Sequence, residues 1–246
     1  MDFSKTHAIT LRRTDYKDSS QIVTFYTRDY GKIQALAKGV KRSVKGISGG
    51  IDLLTHNHIV FIRKGSSALN ILTEWALRDN FHLLREHSKK YYSAFYILEL
   101  VREFTEENDK NEQLFDLFIN TLHEMANKDD PTVNIVAFEV QMLALLGYLP
   151  ELNCCVNCKE KVSPKSISFF SALEGGVICS DCGRKIREKV KISGGTIATI
   201  NYLIGREIHN TGRLSIHSYL QDEIKKVLRY YLSFLLNKKL KMWRYI

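Results

Sequence analysis

Proline is scarce in this chain, at three residues in 246. With no low-complexity tract beside it, that scarcity excludes collagen-like and Pro-rich linker architectures. Long apolar runs are missing too. The longest stretch without a charged side chain, Ile192–Gly205, has 14 residues and contains three glycines. A membrane helix needs ~20 predominantly apolar residues. The opening MDFSKTHAITLRR lacks the basic-then-apolar order of a secretory leader. The expectation is a cytoplasmic protein with no membrane partner. Catalytic signatures are missing as well: there is no G-x-x-x-x-G-K-[ST], no H-E-x-x-H, no G-x-S-x-G and no ligase-type K-x-D-G. Gly46, Gly49 and Gly50 lack the strand-to-helix setting of a dinucleotide fingerprint. The chain is therefore expected not to be an enzyme.

What is present suits one large globular domain or two modest ones, with 44% hydrophobic and 26% charged residues. The net charge of +9 is segregated. Residues 1–80 carry 13 Lys+Arg against 7 Asp+Glu, residues 81–150 carry 6 against 12, and residues 151–246 carry 17 against 8. Two basic ends flank an acidic middle, and clustered positive charge attracts polyanions.

The first 77 residues have strand character. Ile9 and Leu11 alternate with polar neighbours, and Gln21–Thr27 is rich in β-branched and aromatic side chains. Lys32–Ala37 follows the Asp29-Tyr30-Gly31 turn, and His58–Arg63 and Leu69–Trp75 form a further pair. Short, closely spaced strands predict a small barrel or sandwich. Alternation places one of Phe25 and Tyr26 outward, but not both. From residue 80 the period becomes helical: Tyr91, Ala94, Phe95, Leu98 and Val101 share a face, as do Phe115, Phe118, Leu122 and Met125. Val133, Val136, Ala137, Val140 and Leu143 follow, with Asp130-Pro131-Thr132 as a start signal. Helical spacing resumes at Ile197, Ile200 and Ile204, and again at Ile224, Val227, Leu228 and Tyr231.

All five cysteines lie in one stretch between the helical segments, at 154, 155, 158, 179 and 182. In a reducing compartment, clustered cysteines suggest metal before disulfide. Cys155-x-x-Cys158 and Cys179-x-x-Cys182 are spaced as a four-cysteine zinc site. Each short turn aims two thiolates at one ion, and the loop between the pairs completes a tetrahedron. A closed site of four cysteines has no open position, so structural Zn2+ is expected, with Cys154 left out. His56 and His58, two apart at a strand start, are more simply surface residues than ligands.

The barrel region interleaves aromatic and basic residues. Arg12, Arg13, Lys32, Lys38, Lys41, Arg42 and Lys45 are the candidate DNA contacts, the last four in or beside the glycine-rich loop 38–50. A basic groove with stacking rings is how OB-folds hold single strands.

The order of motifs resembles the bacterial RecO recombination-mediator family. The likeness runs through Leu11-Arg12-Arg13, Asp18-Ser19-Ser20-Gln21-Ile22-Val23, Thr27-Arg28-Asp29-Tyr30-Gly31-Lys32 and Ala37-Lys38-Gly39-Val40-Lys41-Arg42-Ser43. It continues through Leu146-Gly147-Tyr148-Leu149-Pro150-Glu151-Leu152, the first Cys pair, and Phe169-Phe170 leading to Gly175-Gly176-Val177-Ile178-Cys179. The loop departs from the family in lacking a proline after its basic cluster. The resemblance implies an α+β protein: an N-terminal OB-fold β-barrel (1–79), then an α-helical domain (80–246) with a four-cysteine zinc finger inserted at about 153–184. It implies a DNA repair protein that binds single- and double-stranded DNA, anneals complementary strands and acts with RecR, often with RecF, to load RecA. It also implies contact with the C-terminal tail of single-stranded DNA-binding protein, and a cytoplasmic, nucleoid-associated location. A zinc-ribbon OB-fold transcription or RNA-binding factor is the alternative, and it would prefer promoters or structured RNA.

Overall fold

Fourteen consecutive residues, Phe3–Tyr16, form one long strand, β1. Its register shifts between Thr10 and Arg12, and a bulge of this kind bends a strand. The bend lets β1 serve two neighbours, pairing through Phe3–Ile9 with β4 (His56–Ile62) and through Ala8–Tyr16 with β2 (Ser20–Thr27). Strand β3 (Gly31–Ala37) pairs antiparallel with β2, and β5 (Asn70–Asp79) antiparallel with β4. A parallel pairing of Ala35–Ala37 with Asn70–Leu72 closes the barrel in the order β1-β2-β3-β5-β4. This computed structural model describes residues 3–42, 50–65, 69–163, 166–208 and 214–246.

The period-two pattern decides what fills the barrel. Val23, Phe25, Ile33, Ala35, Ala37, Ile59 and Phe61 point inward and are buried together. Tyr26 points the other way, yet it too is fully buried. The expectation that either Phe25 or Tyr26 would face solvent is therefore corrected. Helix α3 (Glu112–Ala126) covers the outer face there, with Phe115 stacked 6.3 Å from the Tyr26 ring. Helices α1 (His82–Arg85) and α2 (Ser88–Phe104) complete this first unit, which runs through Asn127 and also takes in Arg244–Ile246. Tyr245 stacks on Tyr92 at 4.8 Å, so the C-terminal residues are anchored rather than frayed.

The acidic run at 103–109 is tied to the barrel. After α2 stops, the chain runs beside β3, where Asn108 N–H donates to the Lys32 carbonyl at 2.9 Å. Gly31 makes this possible. Its φ is +64°, and a methyl there would collide with the Asp109 carbonyl.

The second unit spans Lys128–Trp243. Helix α4 (Thr132–Leu145) starts where the sequence signalled, with Asp130 accepting from the Thr132 N–H and hydroxyl at 3.0 and 2.6 Å. A three-stranded sheet follows, formed by β6 (Ser168–Ser171), β7 (Gly176–Cys179) and β8 (Val190–Ile192) in the order β7-β6-β8. The four-residue helix α5 (Ser180–Gly183) lies between β7 and β8. Helix α6 (Gly194–Ile204) is capped by Ser193, whose hydroxyl accepts from the Thr196 N–H at 3.2 Å. The Glu223 carboxylate, on α7 (Ser218–Leu236), accepts from both the Ser193 N–H and its hydroxyl, joining α6 to α7. Val140, Leu143, Phe170, Ile200, Val227 and Leu228 meet around the core of this unit. Among the described residues no helix is long and apolar enough to cross a membrane.

Candidate metal centre and nucleic-acid interface

Both C-x-x-C turns are held by main-chain bonds to the same sheet. Val156 N–H donates to the Val177 carbonyl at 2.9 Å, tying the first turn to β7. Cys179 ends β7, and Cys182 lies one turn later on α5. Gly176 allows the close approach, since any side chain there would strike the Glu151 carbonyl. The result brings the Sγ atoms of Cys155, Cys158, Cys179 and Cys182 within 4.8 Å of one another. Four thiolates at ~2.3 Å around a tetrahedral ion would be separated by roughly 3.8 Å. The Cys158–Cys179 sulfur separation is 3.8 Å. The donor set and its spacing fit one four-coordinate ion.

The acid–base chemistry shows the strain that such an ion relieves. Burial raises the Cys155 thiol pKa, but N–H groups of Cys158, Cys179 and Asn157 outweigh it and bring it down to about 6. Cys182, facing the sulfurs of Cys179 and Cys158, is pushed up to about 12. Four thiolates cannot share this space without a cation. Cys154 is outside the cluster, and its N–H donates to Glu151 at 3.1 Å.

The barrel distributes the seven candidate DNA contacts unequally. Lys38 and Arg42 are exposed and line one concavity with Tyr16, Lys17, Ser19 and Ser20. Lys17 lies over the Tyr16 ring at 5.6 Å, so charge and an exposed aromatic face occur together. Arg12 is exposed on β1. Arg13 and Lys41 hold carboxylates, Arg13 with Asp52 at 3.2 Å and Lys41 with Asp15 at 2.8 Å. Lys45 lies outside the described residues. Lys32 turns away from solvent: its ammonium donates to the carbonyls of Arg102, at 2.9 Å, and Thr105. Those are carbonyls at the end of α2, and burial lowers the Lys32 pKa. Lys32 is thus engaged within the fold. Sequence reading did not single out Lys17 or Tyr16; the alternation of β1 places Tyr16 on the face of Arg12, a signal that was available.

The two histidines of β4 gain a third from β1. His7 pairs across the strands with His58, and its Nδ1 lies 3.0 Å from His56 Nε2. Burial first, then His7 and His123, lower the His56 pKa to about 4. Arg78 adds to that lowering, while Asp79 opposes it. An unfolded histidine titrates near 6.5. Between those values the unfolded chain binds the extra proton, so stability from this group is full above about pH 6.5 and is lost as pH falls toward 4. Urea midpoints measured from pH 7 to 4 are expected to fall, and His56→Gln should flatten part of that fall. An unchanged pH slope in His56→Gln would contradict the assignment.

Comparison with known proteins covers both units. The family model described as recombination protein O N terminal matches residues 1–81, and that described as recombination protein O C terminal matches residues 85–244. A protein named DNA repair protein RecO from Alkaliphilus metalliredigens is 32% identical over 93% of this chain and 92% of its own length. A protein of the same name from Dehalococcoides mccartyi is 31% identical over 96% of this chain and 91% of its own. A third, from Pelotomaculum thermopropionicum, is 30% identical over the whole chain and 94% of its own length.

Proposed function

The chain belongs to the recombination protein O family, and from that premise we propose that it is a DNA repair protein acting as a non-enzymatic recombination mediator. In this reading it binds single- and double-stranded DNA, anneals complementary strands, and with RecR, and RecF where present, helps RecA replace single-stranded DNA-binding protein. Contact with the acidic tail of that protein belongs to the same reading, as does a cytoplasmic, nucleoid-associated location. The observation that carries it is the barrel face where Lys38, Arg42, Lys17 and Tyr16 converge, in a chain matched to the family along both units.

Annealing brings two polyanions together, and that is an electrostatic task. Lysines and arginines displace condensed counterions from phosphates, which lowers the cost of approach and makes it salt-dependent. The Tyr16 ring adds a stacking surface that tolerates any base. Arg13 and Lys41 are already paired with Asp52 and Asp15, so they add less free charge than Lys38 and Arg42. Zn2+ is the ion we assign to Cys155, Cys158, Cys179 and Cys182. When bound it supplies structural cross-linking with no open coordination position. The cysteines then fasten the first C-x-x-C turn to β7 and α5.

Complementary oligonucleotides should anneal faster with this protein, without ATP, and the acceleration should shrink between about 50 and 200 mM salt. Labelled DNA kept with Mg2+ or Mn2+ should remain uncut. ATP dependence or cleavage would contradict the reading.

A further inference from the structure

A second basic concavity opens at the other end of β3, and it is built differently from the Lys38–Arg42 face. It has a volume of about 490 Å3, within the ~300–1,000 Å3 typical of small-molecule sites. It lies where β3 and β5 are unpaired, because their parallel contact spans only Ala35–Ala37 and Asn70–Leu72. Ile33 and Phe61, both buried core residues of the barrel, lie beneath it as an apolar floor. Tyr30 stands at the wall, with its ring edge-on to Phe61 at 5.4 Å. The exposed Arg63 lies over that ring at 5.4 Å, and the exposed Lys64 follows it. Glu107, engaged by Gln34 at 2.5 Å, provides a carboxylate acceptor at the rim.

We infer that this pocket receives one unstacked nucleobase of a single strand whose neighbouring phosphates meet Arg63 and Lys64. The inference rests on the nucleic-acid-binding reading above and extends it to a pocket lined by none of the seven candidate contacts. The incoming base takes the place of the Arg63 guanidinium on the Tyr30 face, because base–aromatic stacking is the stronger contact. The displaced guanidinium is then free for a phosphate, whose geometry it matches. The Glu107 acceptor suits a base with an exocyclic amino group. A duplex cannot use the pocket, since its bases are stacked and paired. Tyr30 and Lys38 are eight residues apart in sequence, ~26 Å along an extended strand at roughly 3.3 Å per residue. A strand of the usual ~4–16 nucleotides per barrel covers that distance. The pocket would thus confer preference for single strands, and the Lys38–Arg42 face would serve both forms.

The test is fluorescence anisotropy of a labelled 15-nucleotide single strand and its duplex with the full-length protein. Tyr30→Leu keeps an apolar side chain against Phe61 while removing the aromatic face, and Tyr30→Phe restores that face. Tyr30→Leu and Arg63→Ala should each lose about tenfold in single-strand affinity and stay within about twofold on duplex, with Tyr30→Phe like the parent. Unchanged single-strand affinity in both variants would overturn the inference, as would equal losses on single strand and duplex. Displacement of the oligonucleotide by micromolar deoxycytidine monophosphate would overturn it in favour of a free-nucleotide site. A parent protein that binds neither form overturns the nucleic-acid reading itself, and the pocket's role with it.

Discussion

Replacing Cys158 and Cys182 together by serine is expected to empty the metal centre and unfold its surroundings while sparing the barrel. One ligand is taken from each C-x-x-C pair. The two chosen are not the packed ones, since Cys158 is exposed and Cys182 half-buried, whereas Cys155 is fully buried. Loss of order in the variant would therefore reflect lost coordination and not a cavity. Structural zinc contributes about 10–16 kcal/mol to small finger folds. That matches or exceeds the ~5–15 kcal/mol net stability of a whole domain. A sheet with strands of only four, four and three residues has little else to hold it. Metal content by mass spectrometry should drop from one zinc per chain to less than a tenth. Proteolysis should then cleave between about residues 156 and 190. Phe170 packs edge-on to Tyr231 of α7 at 5.4 Å, so β6 should be the last strand of the sheet to open. A double variant that keeps stoichiometric metal, or keeps this segment protected, would contradict the centre.

The second large effect concerns the barrel face. Lys38→Ala with Arg42→Ala should lower the slope of log affinity against log salt by about two, one per lost phosphate contact. At low salt the double variant should bind more weakly by on the order of a hundredfold, about tenfold per contact. Lys32→Met is the contrasting case. Its ammonium is spent on the carbonyls of Arg102 and Thr105, so it should leave the salt slope unchanged and lower the denaturation midpoint. Equal salt slopes for the parent and the Lys38/Arg42 variant would remove this face from the DNA path.

The contrast between Lys38 and Lys32 shows where the sequence was informative. Lys32 lies near the start of β3 and Lys38 just past its end, and residue type cannot separate them. What distinguishes them is the distant carbonyl pair at the end of α2, some 70 residues on in the chain. Tyr26 makes the same point for packing: strand alternation gives the direction of a side chain, but not whether a helix will cover it. The five barrel strands were legible because β-branched and aromatic residues recur there in short runs bounded by turn residues. The clustering of the four cysteines was legible because C-x-x-C spacing is itself the geometry of a chelating turn. The sheet β7-β6-β8 was not, since strands of three and four residues are too short to show a period. The β3-edge pairing of Asn108 was hidden, since the acidic composition of residues 81–150 carries no signal of a main-chain bond to a strand.

The central claim is that this chain handles DNA as a mediator. Its most direct test is annealing of complementary oligonucleotides already coated with the cognate single-stranded DNA-binding protein, followed with and without this protein at two salt concentrations. The account predicts ATP-independent acceleration that weakens at the higher salt and is lost in the Lys38/Arg42 variant. Coated strands that anneal no faster with the metal-replete protein than without it would contradict the account.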